Sequence, residues 1–322
     1  VSKILLRVQT DGDKAVLEYT QEFDSAELPN GLRMPTELIA QAKAALSDDV
    51  ISAIDLAYQN IKTFHEAQMP SDISLETQPG VLCEQKHVAL EVVGLYIPGG
   101  SAPLPSTVLM LGVSAQVAGC KLPILCTPPS PKGSIAPEIL YAAHKCGIEH
   151  IYLCGGAQAI GAMAYGTQTV PKADKIFGPG NSFVTEAKQQ VSKDVAGAAI
   201  DMPAGPSELL VVADDAAQAS FVASDLLSQA EHGVDSQVIL VSTSKDLIDE
   251  VEKEVEEQMS TLSRKRIAEK AIDNSKLIYV KDDETALALI DEYGPEHFIV
   301  CTSNDDYYVD NIGNAGSVFI GN

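Results

Sequence analysis

Three kinds of short stretch in this sequence bring together side chains that can do chemistry. The first, Tyr293-Gly294-Pro295-Glu296-His297, sets a carboxylate beside an imidazole after a Gly-Pro turn. Histidine titrates near neutral pH and is the commonest general base, and a glutamate can activate water, so the pair reads as an acid–base unit. A plain surface turn fits the same residues equally well. The second, Ser228-Gln229-Ala230-Glu231-His232-Gly233, closes a predicted helix. Gln229 and His232 are three residues apart and share a helical face, so both could reach one metal ion. Imidazole is the usual zinc ligand and an amide oxygen a harder, rarer one. Two groups leave the shell open, and a helix-capping histidine competes with the metal reading. The third kind is a set of glycine-rich turns: PGGSAP at 98–103, GGAQ at 155–158 and GPGN at 178–181. The last two follow predicted strands and precede predicted helices, where backbone can approach a ligand and a helix N-terminus can face a phosphate. There is no G-x-G-x-x-G, and tight turns alone also explain glycines at these places.

These residues need a frame to hold them. The first seventy residues read as helices: Ile51, Ile54, Tyr58, Ile61 and His65 recur at spacings of three and four, one face of a long amphipathic helix. His65 on that stripe reads as a packed side chain rather than a ligand. From Val92 short apolar runs alternate with helical patterns. Strands are predicted at 92–97, 122–126, 151–154 and 198–200, with helices near 106–118, 136–146, 157–165 and 182–192. After 202–206 the pattern restarts, with strands at 209–213, 238–242, 277–280, 298–301 and 317–320 and a helix over 216–231. A strongly charged helix containing 246–258 reads as a solvated face. Strands alternating with helices argue for parallel sheets built from βαβ units. The fold class is therefore α/β: two Rossmann-like α/β domains, the second inserted into the first, with an N-terminal helical segment. The first domain is assigned 1–96 together with 208–322, and the inserted one 97–207. The Pro/Gly-rich segments 97–105 and 202–207 are read as the crossings between them.

Length and composition agree with this. A chain of 322 residues suits about two domains. Its 45 acidic against 22 basic residues give a net charge of -23, which repels phosphate backbones and argues against a nucleic-acid partner. The six cysteines (Cys83, Cys120, Cys126, Cys146, Cys154, Cys301) form no C-x-x-C pair, so neither a zinc ribbon nor a disulfide framework is indicated. No signal-peptide pattern opens the chain, and the longest weakly polar stretch, 108–120, is too short to span a bilayer. A cytoplasmic protein without a membrane partner is expected.

Together the motifs resemble those of histidinol dehydrogenases. The resemblance is carried by GLYIPGGSAPL (94–104), GGAQAI (155–160), KIFGPGN (175–181), DMPAGPSE (201–208), ASDLLSQAEHG (223–233) and YGPEH (293–297), in order, over essentially the whole chain. It implies an NAD-dependent, four-electron oxidation of L-histidinol to L-histidine through histidinal, in histidine biosynthesis. By that resemblance Gln229 and His232 match zinc ligands, and Ser207, with Gln229, His232 and His297, matches substrate-binding residues. Tyr96, Gln158 and Asn181 match residues lining the NAD site, which puts NAD on the 97–207 side and the zinc and acid–base residues on the other. His297 matches the general base and Glu296 the residue that activates water. One zinc per subunit and a homodimer are also implied.

The chain starts at Val1 and stops at Asn322 directly after an apolar run, so it reads as trimmed at both ends. In the family the other two zinc ligands, an aspartate and a histidine, lie beyond that stop. The expectation is an incomplete zinc site and little or no activity in these 322 residues alone. Two rival readings are a related zinc- and NAD-dependent dehydrogenase of another small alcohol, such as a sulfonated diol, and a catalytically dead binding module.

Overall fold

Apolar runs without polar alternation mark strands covered on both faces, and such strands belong to parallel sheets flanked by helices. Leu209–Ala213 and Val238–Ser242 are buried at every position. The computed structural model describes residues 1–99, 103–203, 205 and 207–321. Gly100, Ser101 and Ala102 of the first glycine-rich turn, Ala204 and Pro206 of the 202–207 segment, and Asn322 therefore lie outside the described residues. The chain divides into two units, Val1–Ala204 and Gly205–Asn322.

In the first unit, helices α1 (Ser2–Asp11), α2 (Asp13–Asp24), α3 (Thr36–Gln41) and α4 (Asp48–Ala67) precede an antiparallel hairpin, β1 (Ile73–Gln78) and β2 (Val81–Gln85). The sheet then runs β3 (Val92–Tyr96), α5 (Pro105–Ala118), β4 (Leu122–Thr127), α6 (Pro137–Lys145) and β5 (His150–Leu153). It continues α7 (Gly156–Tyr165), β6 (Lys175–Phe177), α8 (Ser182–Lys193) and β7 (Ala199–Ile200). Its strands are all parallel, in the order β5-β4-β3-β6-β7.

The second unit repeats the winding. It runs β8 (Leu209–Ala213), α9 (Ala219–Ala230), β9 (Val238–Ser242), α10 (Lys245–Met259), α11 (Lys265–Asp273) and β10 (Lys276–Tyr279). Then come α12 (Asp283–Tyr293), β11 (His297–Cys301), α13 (Asp305–Asn311) and β12 (Ser317–Ile320). The parallel order is β10-β9-β8-β11-β12. Two Rossmann-like α/β layers and the helical N-terminus agree with the expected fold class.

The grouping of segments differs from the one expected. The sequence pattern assigns 1–96 to one domain with 208–322, whereas the structure groups 1–96 with the middle sheet and 208–322 apart from it. Two observations give the reason. Leu5 and Val8 of α1 press onto α7 at Gly161, where an added Cβ would lie 3.2 Å from Leu5, and Ile54 of α4 joins the cluster of Val108 and Ile139. The backbone of 32–34 also adds to the edge of β5: Leu153 N–H donates to the Leu32 carbonyl and Met34 N–H to that of Ile151, both at 2.8 Å. Periodicity shows which face of a helix is apolar, not which sheet it covers. Pro98, Gly99, Pro103 and Leu104 accordingly lie inside the first unit, and the division falls within 202–207. The β1–β2 hairpin was not anticipated either. Both strands are exposed throughout, so no burial rhythm marks them, and the turn rests on Gly80 at φ 81 with Glu76 accepting its N–H at 2.6 Å.

Phe298, at the centre of the second unit, is fully buried and meets Tyr308 edge-on, with ring centroids 6.5 Å apart. Phe298→Ala is expected to destabilise that unit by about 3–5 kcal/mol, measured by urea unfolding. A loss below about 1 kcal/mol would show that the core closes over the cavity.

Candidate active site

In a parallel sheet wound outward from one strand, the connections diverge at the carboxyl ends of the central pair and leave a crevice. In the first unit that pair is β3 and β6. Tyr96 ends β3, the GGAQ turn follows β5 into α7, and the GPGN turn follows β6 into α8. Tyr96, Gln158 and Asn181, three separate motifs in the sequence, all line one cavity of about 900 Å³ there. Tyr96 is 3% exposed, and its hydroxyl accepts the Gly156 N–H at 3.0 Å. Burial pushes the phenol up to about 12, so it stays protonated with its own O–H free to donate. Gln158 is 1% exposed and its Oε1 has no hydrogen-bond partner. Asn181 caps α8, its Oδ1 accepting from the N–H groups of Phe183 and Val184 at 3.1 Å, which leaves its amide NH2 free of the cap.

Two features of this cavity went unread in the sequence. Asp24, the last residue of α2, lines it, with Oδ2 buried and unpartnered; burial raises its carboxyl to about 6. Nothing local in the sequence marks it. The GPGN turn is held by an ion pair between a buried lysine and a half-buried aspartate. Lys188, 4% exposed, donates to the Gly178 carbonyl at 2.8 Å and pairs with Asp201, whose Oδ2 accepts the Gly178 N–H at 2.8 Å. Here a signal did exist: Lys188 sits in the buried stripe Val184, Ala187, Val191 of α8, where a charge needs a partner.

In the second unit the expected residues gather at the opposite edge of the sheet. Ser207 and Glu208 lead into β8, Gln229 and His232 end the crossover that leads into β9, and Glu296 and His297 open β11. All are at amino ends of strands. Gly294 ends α12 at φ 63, and its bare Cα lets the chain turn against Asn314. Glu208 fastens the pair: its Oε1 accepts the Glu296 N–H at 3.1 Å, and its carbonyl lies 3.2 Å from His297 Nδ1. The His297 ring lies 6.4 Å from that of Phe319 at 21°. Gln229 is buried with Nε2 unpartnered, and His232 is exposed. The helix stops at Ala230, so His232 stands in the turn beyond it rather than on the helical face; its N–H still donates to the Gln229 carbonyl at 3.1 Å, which keeps the two together. One amide and one imidazole suit zinc in donor type. Among the described residues, no group of three or more His, Cys, Asp or Glu side chains is placed to hold a metal. Two such donors by themselves leave a coordination shell open.

The family model described as histidinol dehydrogenase matches residues 1–322. Among curated relatives, the histidinol dehydrogenase of Colwellia psychrerythraea is 56% identical over 321 residues, covering 100% of this chain and 74% of its own length. That of Vibrio cholerae is 54% identical over 321 residues, covering 100% and 73%. A crystal structure of histidinol dehydrogenase from Elizabethkingia anophelis superposes with a TM-score of 0.96 at 50% identity, over 99% of this chain and 73% of that one. A methylmalonate-semialdehyde dehydrogenase from Oceanimonas doudoroffii shares only the fold, with a TM-score of 0.53 at 12% identity, over 98% of this chain and 81% of that one.

Two outcomes test the first unit's site. Asp201→Asn strands the Lys188 ammonium in the interior and is expected to lower stability by about 3 kcal/mol in urea unfolding, with much of it regained in the Lys188→Met/Asp201→Asn double variant. Asp24 is more basic folded than unfolded, so its protonated form favours folding, and that advantage drains away as pH rises from about 4 to about 6. Melting curves of wild type and Asp24→Asn should therefore diverge in favour of the variant as pH rises through that window; parallel curves would show that the carboxyl titrates normally.

Proposed function

The chain belongs to the histidinol dehydrogenase family, and on that premise we propose that Glu296 and His297 carry its acid–base chemistry, Ser207, Gln229 and His232 hold substrate and zinc, and Tyr96, Gln158 and Asn181 hold NAD. The family is one of NAD-dependent oxidoreductases that act on the CH–OH group of histidinol in histidine biosynthesis. Taking a primary alcohol through an aldehyde to a carboxylate removes two hydrides and adds one oxygen from water. The protein must therefore accept protons at more than one stage and deliver an activated water between them.

The observation that carries this reading is the contact of His297 Nδ1 with the Glu208 carbonyl at 3.2 Å. A carbonyl only accepts, so Nδ1 bears the proton and Nε2 presents the free lone pair. Nε2 takes the hydroxyl proton as the first hydride departs. Glu296, exposed beside it and fixed through its backbone N–H, takes a proton from water as the oxygen adds to the aldehyde carbon. His297 Nε2, free again, takes a proton from the resulting diol as the second hydride departs. NAD, when bound, accepts the hydride in each step. Zinc, held in part by Gln229 and His232, would orient the substrate. Buried orphan groups in both places, Gln158 Oε1 and Gln229 Nε2, support ligand binding at each.

A homodimer is the assembly we propose, supported by the β1–β2 hairpin, where Leu75 and Leu82 are 58% and 61% exposed on a two-stranded sheet that needs further cover. Unpaired cysteines fit the reducing cytoplasm. Among the described residues, no helix is long and apolar enough to cross a membrane.

NADH formed per L-histidinol consumed by the full-length protein tests the reading. The expected stoichiometry is two, and the absence of NADH from histidinol would refute the assignment. His297→Asn is expected to slow oxidation of both histidinol and histidinal by about 10²–10⁴-fold, while Glu296→Gln slows histidinal oxidation by a similar factor and leaves the first hydride transfer near the wild-type rate.

A further inference from the structure

The cavity of the first unit holds two buried oxygens without partners, Asp24 Oδ2 and Gln158 Oε1. A carboxylate and an amide oxygen only accept, so the missing partner is a donor. Folded proteins seldom leave buried acceptors unpaired, and an unpaired one on a cavity-lining residue points to a ligand. Asp24 is also the only acidic side chain among the described lining residues, which include no lysine or arginine. Its placement is enforced: Ser25, immediately after it, is the one non-glycine residue at positive φ among the described residues, at 54°.

In dinucleotide-binding sheets of this strand order, an acid after the second strand commonly accepts from the adenosine ribose hydroxyls. Here the second strand, β4, ends in Thr127-Pro128-Pro129-Ser130, which offers no carboxylate. The cavity nevertheless extends over that half of the sheet, where Thr127, Pro128, Pro131 and Ile139 line it. We propose that Asp24, delivered by the N-terminal helical arm, accepts hydrogen bonds from the 2′- and 3′-hydroxyls of the adenosine ribose of NAD, and that its charge rejects a ribose bearing a 2′-phosphate. Asp24 thereby selects NAD over NADP. Vicinal hydroxyls can supply the donor that Asp24 Oδ2 lacks and a second one to the other carboxylate oxygen. A 2′-phosphate would replace a donor with a second anion, in a wall that holds no cationic side chain. The proposal rests on reading this cavity as the NAD site.

Calorimetric titration of the whole chain with NAD, NADP, AMP, 2′-deoxy-AMP and nicotinamide mononucleotide tests it. Wild type should bind NAD more tightly than NADP and AMP more tightly than 2′-deoxy-AMP. Asp24→Asn and Asp24→Ala should weaken NAD and AMP by about 10- to 100-fold, close both gaps, and leave nicotinamide mononucleotide unchanged. The apo form of Asp24→Asn should melt no lower than wild type at neutral pH, since it loses an unpaired charge and no native bond. If the Asp24 variants bind NAD and discriminate against NADP as wild type does, while Gln158→Ala loses NAD, the ribose role is wrong and the cofactor site stands. A marked drop in apo melting temperature for Asp24→Asn would make the residue structural and overturn the proposal, as would loss of nicotinamide mononucleotide instead of AMP. If wild type binds none of these ligands, the cofactor reading itself fails, and this proposal with it.

Discussion

Winding a parallel sheet outward from its central strand fixes the polarity of everything at its edges. Crossover helices run antiparallel to the strands, so the carboxyl edge of the sheet collects helix N-termini and the amino edge collects helix C-termini. The first concentrate positive partial charge and unpaired N–H groups, the second negative partial charge and unpaired carbonyls. In the first unit the chemistry-bearing turns lie at the carboxyl edge, where α7 begins at Gly156 and α8 begins behind Asn181. That polarity suits the phosphates of a dinucleotide. The Lys188–Asp201 pair holds Gly178 in place, and neither residue lines the cavity.

The second unit has the same strand order and puts it to the opposite use. The crevice expected at the carboxyl ends of β8 and β11 is occupied by Asp214, whose Oδ2 accepts from the Ser303 hydroxyl at 2.6 Å and backbone N–H at 2.8 Å, while Oδ1 accepts from Ala216 N–H at 3.0 Å. Although burial opposes ionisation, these bonds hold the carboxyl below its usual range, so it is a saturated anion that closes the gap. The groups proposed to hold substrate and zinc lie instead at the amino edge, beyond the C-termini of α9 and α12. A helix C-terminus favours cations, which suits a metal ion and a protonated amine or imidazole. One strand order thus offers, at its two edges, a polarity that favours anions and a polarity that favours cations.

The elements were legible in the sequence because buried parallel strands and amphipathic helices write strong patterns. The strands at 209–213, 238–242 and 317–320 fall at the predicted positions, and the remaining predicted strands shift by a residue or so at their ends. The pair proposed for acid–base chemistry stands out for a different reason: Glu296 and His297 adjoin in the chain and sit in an unusual motif. What escaped was long-range. Asp24 and Gln158 line one cavity although they are far apart in sequence, and the His297 tautomer depends on a carbonyl 89 positions away. The covering of the middle sheet by α1 and α4 escaped too, because an apolar stripe carries no address. Residues of the 202–207 segment illustrate the limit from the other side: they form a recognisable motif, yet only part of it divides one unit from the next.

The orphaned atoms give the arrangement its logic. Among the described residues, the buried side-chain atoms without partners include Asp24 Oδ2 and Gln158 Oε1 in one unit and Gln229 Nε2 in the other. Each is an energetic liability in the empty protein, since desolvation has been imposed without a compensating bond. Satisfying any of them internally would be simple for a sequence under selection for stability alone, because a smaller or apolar side chain removes the penalty. Their persistence on the cavity wall and beside the candidate metal residues is explained if the compensating bond comes from outside. A ligand that supplies it gains the full desolvation already imposed by folding, so the site is prepared for binding before the ligand arrives. The same reasoning separates these atoms from Asp214 and Asp201: those carboxylates are held by neighbours within their own unit, and they act as structure.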